Sequence, residues 1–60
     1  MNLQLKMKIL EKFGSQWSFA KRINIHESYI SQVIRGKRIL SPEKKDEWAR
    51  ILKCKIFDIF

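Results

Sequence analysis

A chain of 60 residues is long enough for one small domain, and with 45% hydrophobic residues it is too apolar to be a disordered segment. Two glycines and one proline are too few for a loop-rich fold, so the composition favours short helices joined by tight turns. Thirteen lysines and arginines against six acidic residues give a net charge of +7, which favours a polyanionic partner such as nucleic acid.

Two helices are predicted in the first part of the chain. Apolar residues at four-residue spacing predict an amphipathic first helix, with an inward face made by Leu5, Ile9 and Phe13. Gly14 ends this helix, and Ser15 is a favoured N-cap for the next one. The second helix is predicted from Gln16 to Ile23, with Phe19, Ala20 and Ile23 on one face.

A turn and a third helix follow. Asn24 tolerates the left-handed conformation that closes a helix and reverses the chain, and Ile25 can fill the corner. From Glu27 onward helical spacing returns at the apolar positions Ile30, Val33 and Ile34. The third helix is predicted to end at Gly36, because glycine is favoured just beyond a helix C-terminus.

A fourth helix is predicted to begin at Ser41, Pro42 and Glu43. Serine is a favoured N-cap, proline fits the first helical position, and an acidic residue is stabilised by the positive end of the helix dipole. The inward face of this helix is predicted to contain Trp48, Ile51 and Leu52. The apolar tail from Ile56 to Phe60 should either dock as a last helical turn or remain partly exposed, and an exposed patch would indicate a dimer contact.

Residues of the less common types exclude several kinds of site. Cys54 is the only cysteine, which excludes an internal disulfide, and we interpret it as a small, partly buried apolar residue. His26 is the only histidine, which excludes a zinc site made by this chain alone and favours a role in a turn or cap over catalysis. Trp17 and Trp48 lie in helical patterns, so we expect both to pack in the core or at its edge rather than stack on bases.

No continuous apolar run has the length that a signal peptide or a membrane span requires, so we expect a cytoplasmic protein. A membrane-active cationic peptide is a further alternative, but it needs one continuous amphipathic helix. This chain is interrupted at Gly14, Asn24, Gly36 and Pro42. We expect no enzymatic activity, no cofactor, no metal and no small-molecule ligand.

The block from Gln16 to Arg35 carries the functional prediction. Its apolar residues are expected to bury the concave side of a helix pair, and the small Ala20 allows the two helices to approach closely. The outward face of the second helix of this pair is left polar and presents Glu27, Ser28, Tyr29, Ser31, Gln32 and Arg35. Side chains of these types can reach base edges when a helix lies in the major groove.

This block resembles the helix-turn-helix of the Cro and phage-repressor type, also called the xenobiotic-response-element family. Prophage-like members carry runs similar to Phe13-Gly14-Ser15-Gln16 and Ser41-Pro42-Glu43, and the likeness covers nearly the whole chain. The resemblance implies an all-α, lambda-repressor-like bundle of four helices, or five with the tail. It also implies a single domain over residues 1–60, with the motif at about 16–35.

The same resemblance implies roles for individual residues. Base contacts are implied at the start of the recognition helix, by Glu27, Ser28, Tyr29 and Gln32. Gln32 is the foremost candidate, because glutamine can form two hydrogen bonds with adenine. Phosphate contacts are implied for Gln16, Ser31, Arg35, Lys37 and Arg38, although the basic residues after the helix could also form a simply solvated loop.

The chain departs from the family pattern at three positions. Many relatives have glycine where Asn24 stands, a capping serine or threonine where His26 stands, and a short polar residue where Tyr29 stands.

The resulting hypothesis is a sequence-specific regulator of transcription, a repressor or Cro-like protein of phage or mobile-element type, that binds a double-stranded DNA operator. Two copies are expected to associate through Ile56 to Phe60 and to bind a pseudo-palindromic site. The alternative is an antitoxin-like or assembly module whose main partner is another protein, because a fold alone does not determine function.

Overall fold

Five α-helices and no strands form the computed structural model, which describes all residues 1–60. The helices are α1 (Leu3–Phe13), α2 (Gln16–Ile23), α3 (Glu27–Ile34), α4 (Pro42–Ile51) and α5 (Ile56–Ile59). The predicted all-α class is confirmed, and the tail provides the fifth helix. None of the five combines the length and the apolar character that crossing a membrane requires.

The predicted helix starts have the expected local chemistry. The Ser15 hydroxyl accepts a hydrogen bond of 3.1 Å from the backbone N–H of Ser18 and caps α2. The Ser41 hydroxyl accepts from the N–H of Lys44 at 3.3 Å and caps α4. Each cap satisfies one of the backbone donors that the first turn of a helix leaves without a partner inside the helix.

Three helices end in the same hydrogen-bonding pattern, known as the Schellman motif. One residue adopts a left-handed conformation, and the N–H of the next residue donates to the carbonyl five positions earlier. The left-handed residues are Asn24, Gly36 and Lys53, with φ angles of 60°, 80° and 56°. The long hydrogen bonds, of 3.0, 2.9 and 3.0 Å, join Ile25 to Ala20, Lys37 to Gln32 and Cys54 to Ala49. The endings at Asn24 and Gly36 confirm the prediction, whereas Lys53 has no local sequence signal.

One apolar cluster forms the core. Its twelve buried residues are Leu5, Ile9, Phe19, Ala20, Ile30, Val33, Ile34, Leu40, Trp48, Ala49, Leu52 and Ile59. Phe19 and Trp48 are the largest, and they meet edge to face with ring centroids 5.2 Å apart. The ring of Phe13 lies 5.2 Å from Phe19 on the α1 side. Aromatic contacts of this kind add stabilisation beyond the burial of their area.

Helix α4 reaches the core through side chains rather than through close backbone packing. Among the other helices, only α5 has Cα atoms that approach those of α4 within 8 Å. The indole of Trp48 is 1% exposed and spans the distance to Phe19 in α2. A smaller residue at this position would leave a cavity between α4 and the helix pair.

Trp17 and part of the C-terminal tail lie on the surface. The expectation that Trp17 packs in or beside the core is wrong, because its side chain is 56% exposed and carries the Lys21 ammonium 4.6 Å from the ring centroid. The inward face of α2 is taken by Phe19 and Ala20 instead. The tail combines both expected outcomes, since Ile59 is buried in the core while Phe57 remains 91% exposed.

Asn2 joins three parts of the chain that lie far apart in the sequence. Its side-chain oxygen accepts from the N–H of Leu5 at 3.0 Å and caps α1. Its backbone N–H donates to the carbonyl of Ile34 at 2.6 Å, at the end of α3. Its side-chain NH2 donates to the carbonyl of Ile59 in α5. Asn2 therefore acts as a clamp between α1, α3 and α5.

Replacing Asn2 by alanine should lower the free energy of unfolding by about 1–3 kcal/mol, because a helix cap and a side-chain hydrogen bond are lost together. The Asn2→Ser variant keeps a side-chain oxygen that can cap α1 but has no NH2 for Ile59, so it should lose only part of that stability. Urea unfolding followed by circular dichroism measures both. Equal stability of Asn2→Ala and the unmodified chain would contradict the clamp.

Candidate nucleic-acid interface

The turn between α2 and α3 is tight because its residues bond back onto α2. Asn24 has φ 60° and ψ 47°, and its N–H donates to the carbonyl of Lys21 at 3.3 Å. The N–H of Ile25 donates to Ala20 at 3.0 Å. Ala20 itself is only 3% exposed, so its small side chain is buried in the core, on the inward face of α2 as predicted. This turn places α3 across α2 with one face free.

Helix α3 divides cleanly into an inward and an outward face. Ile30, Val33 and Ile34 are buried in the core. The opposite face carries Ser28 and Arg35, which are exposed, and Ser31 and Gln32, which are half-buried. A helix with one buried apolar face and a free polar face can lie in the major groove without losing its packing on the core.

The residues expected to contact bases do not all lie in the same environment. Glu27 and Ser28 are exposed at the start of α3. Tyr29 is half-buried and packs against the core cluster, which limits the movement of its side chain. Gln32 lies one turn further along and is held by Arg38, whose Nε donates to the Gln32 Oε1 at 3.0 Å.

Arg38 lies in the loop after α3, and its side chain folds back onto α3. Its guanidinium lies 4.6 Å from the centroid of the Tyr29 ring, in addition to its hydrogen bond with Gln32. Gly36 makes this return possible, because its φ of 80° reverses the chain after the last turn of α3. Sequence reasoning predicted the glycine but not the contact, which spans six positions and depends on the path of the loop.

The residues expected to contact phosphates surround this face. Gln16 is half-exposed at the first position of α2, where backbone N–H groups and the helix dipole favour an anion. Arg35, Lys37 and Arg38 are all exposed, whereas Ser31 is half-buried. The four ion pairs of the structure involve only residues 8–12 and 44–50, so the three basic side chains after α3 keep their charge free for another partner.

The N-terminal end of α3, where base contacts are expected, has no side-chain cap. His26 occupies the N-cap position with extended backbone angles, but its side chain makes no hydrogen bond to the first turn. His26 therefore has the predicted role in the turn, at the N-cap position, and it acts there through its backbone carbonyl, which accepts from Tyr29 at 3.1 Å. Glu27 in the first turn is the favourable charge at this helix end.

Cys54 lies outside this interface and behaves as predicted. It is a free, half-buried thiol that packs against the core. Desolvation raises the pKa of the Cys54 thiol above its ordinary value, against a smaller opposing effect of the Lys8 charge. The thiol therefore stays protonated at neutral pH, which makes it a poor nucleophile.

Comparison with known proteins agrees with this geometry. A protein-family model described as helix-turn-helix matches residues 6–59, which is nearly the whole chain and includes all of α2, α3 and the loop after them. No curated protein and no solved structure gives a match.

Introducing a capping side chain at position 26 should stabilise α3. His26 is exposed and makes no side-chain hydrogen bond to α3, so His26→Ser should raise the free energy of unfolding by about 0.5–1 kcal/mol. Ser15→Ala, which removes the existing cap of α2, should lower it by a similar amount and is the matched control. Thermal unfolding measures both, and no gain in His26→Ser would show that the end of α3 is already satisfied by water.

Proposed function

The chain belongs to the helix-turn-helix family of the Cro and phage-repressor type, whose members bind DNA and regulate transcription, and from this premise we propose that it is a repressor or Cro-like protein of a phage or mobile element. In this proposal α3 enters the major groove of a double-stranded operator and α2 lies across the backbone. The observation that carries it is the free polar face of α3, opposite the buried Ile30, Val33 and Ile34.

Base contacts in this proposal come from the outward side chains near the start of α3. They are Glu27, Ser28, Tyr29 and Gln32. Ser28 and Glu27 are exposed and can reach base edges directly. Gln32 and Tyr29 have their positions limited by contacts with Arg38, so they offer a more rigid surface than freely rotating side chains.

Phosphate contacts in this proposal flank the base contacts on both sides. They are made by Gln16, Ser31, Arg35, Lys37 and Arg38. Such contacts determine the register of the protein on the duplex but carry no sequence information. The excess of positive charge supports them, since the chain carries a net charge of +7 and the residues after α3 have no acidic partner.

Selection of binding sites from random duplex DNA tests the proposal, followed by titration of the selected site and a scrambled site at two salt concentrations. Enrichment of a short motif supports a sequence-specific regulator. Equal and salt-sensitive binding to every sequence would contradict it, and would favour an assembly module whose main partner is another protein.

Two substitutions separate the proposed roles on the selected site. Gln32→Ala should weaken specific binding by about 1–3 kcal/mol and relax the preference at one base pair, because a base contact is lost. Lys37→Ala should weaken binding to all sequences alike and reduce the salt slope by about one, because one phosphate contact is lost. Identical behaviour of the two variants on selected and scrambled DNA would contradict the assignment of Gln32 to base readout.

Association of two copies through the tail is part of the proposal. Phe57 is 91% exposed and belongs to the apolar tail, so it offers an aromatic side chain that a second copy can cover. A dimer on two half-sites about 10 to 10.5 bp apart would match an inverted-repeat operator.

The Phe57→Glu variant should be monomeric, since a charge would replace the aromatic ring that the proposed dimer buries. Met7→Glu, at a residue of α1 that is 66% exposed, is the matched control and should leave association unchanged. Equilibrium sedimentation with and without the selected DNA measures both. A strict monomer for the unmodified chain, free and on DNA, would rule out the dimer.

A further inference from the structure

The contact between Arg38 and Gln32 restricts how the glutamine can present its side-chain amide. A glutamine amide has an oxygen that only accepts hydrogen bonds and a nitrogen that only donates, and rotation normally exchanges their positions. The arginine side chain has donors and no acceptor. The 3.0 Å bond from Arg38 Nε therefore requires the Gln32 oxygen to face Arg38.

A second contact, with Tyr29, holds Arg38 in the position from which it bonds to Gln32. The Arg38 guanidinium lies 4.6 Å from the centroid of the Tyr29 ring, and this ring is half-buried against the core. A cation over an aromatic face is attracted to it, and a planar guanidinium also stacks on the ring. The backbone of the loop is held as well, because the N–H of Lys37 donates to the carbonyl of Gln32 at 2.9 Å. Arg38 is thus held by its surroundings and can orient the amide.

We propose that Arg38 is a positioning residue that presents the Gln32 amide to the major groove as a hydrogen-bond donor, so that this position of the operator is a guanine rather than an adenine. The inference rests on the proposed function and specifies the base that Gln32 reads. Guanine offers two adjacent acceptors in the major groove, O6 and N7. Pairing with adenine through two hydrogen bonds needs the glutamine oxygen as acceptor for the adenine N6. The Gln32 oxygen already accepts from Arg38 and is turned toward it, whereas the amide nitrogen keeps both of its hydrogens for the base.

Arg38 can hold a phosphate at the same time. Its guanidinium has five N–H donors, and the bond to Gln32 uses only the one on Nε. A variant at this position therefore loses two functions, one common to all sequences and one confined to a single base pair. The adjacent Lys37 is also exposed and carries the same charge, but its side chain makes no hydrogen bond with Gln32.

The test is selection of binding sites from random duplex DNA with four forms of the full chain: unmodified, Gln32→Ala, Arg38→Met and Lys37→Met. The position at which Gln32→Ala loses preference identifies the base pair that Gln32 reads. The unmodified chain should select guanine there by about tenfold or more over adenine, in the range of one good base contact. Arg38→Met should lose that preference or transfer it to adenine, while Lys37→Met should retain it.

Both methionine variants should reduce the salt slope by about one, which controls for the loss of charge. The proposal is overturned if Arg38→Met keeps the guanine preference and weakens all sequences by the same factor as Lys37→Met, since Arg38 would then be a phosphate contact only. Selection of adenine by the unmodified chain at the Gln32 position would also overturn it. These results leave the proposed function intact, whereas enrichment of no motif by the unmodified chain would reject the proposed function together with this inference.

Discussion

Phe19 of α2 and Trp48 of α4 meet edge to face inside the core, with ring centroids 5.2 Å apart. The backbone of α4 approaches only that of α5 within 8 Å, so α4 is joined to the helix pair by side chains, and this contact is made by the two largest of those that are fully buried. Truncating a buried Phe or Trp to alanine typically costs about 3–5 kcal/mol. At about 0.05–0.15 kcal/mol per residue, a chain of 60 residues has a total stability of the same order. Loss of this one contact would therefore remove a large part of the stability that keeps α3 and its outward face in place.

The interface follows from that packing. Because Ile30, Val33 and Ile34 enter the core beside Phe19, the remaining side of α3 is polar and free. The Schellman motif at Gly36 then ends α3 and turns the loop so that Arg38 lies over Tyr29 and Gln32. A rigid scaffold that presents polar groups in fixed positions reduces the ordering cost of binding. The outward face of α3 is thus organised by the same hydrogen bonds that end the helix.

Sequence reasoning succeeded where the signal is local. The caps Ser15 and Ser41 were predictable, because capping depends on local chemistry. A serine just before a segment with helical apolar spacing can accept a hydrogen bond from an unpaired N–H of the first turn. The apolar spacing likewise predicted which side of α3 is buried. It failed for Lys53, which is left-handed although lysine has no intrinsic preference for that region. Its neighbours Leu52 and Cys54 both pack on the core, and their packing determines the path of the chain between them. The contact of Gln32 with Arg38 belongs to the same class, since it depends on the path of a loop and not on helical spacing.

The clamp made by Asn2 also affects the order in which the molecule can assemble. Its side chain bonds to the carbonyl of Ile59, 57 positions later, so α1 stays incompletely held until Ile59 has been synthesised. The helix pair and Arg38 leave the ribosome earlier, before Trp48 is available to support them. Contacts between distant positions form late because a long loop must first be closed. The helix pair therefore gains its full support only after α5 has been made, so the fold of this domain is completed late in its own synthesis.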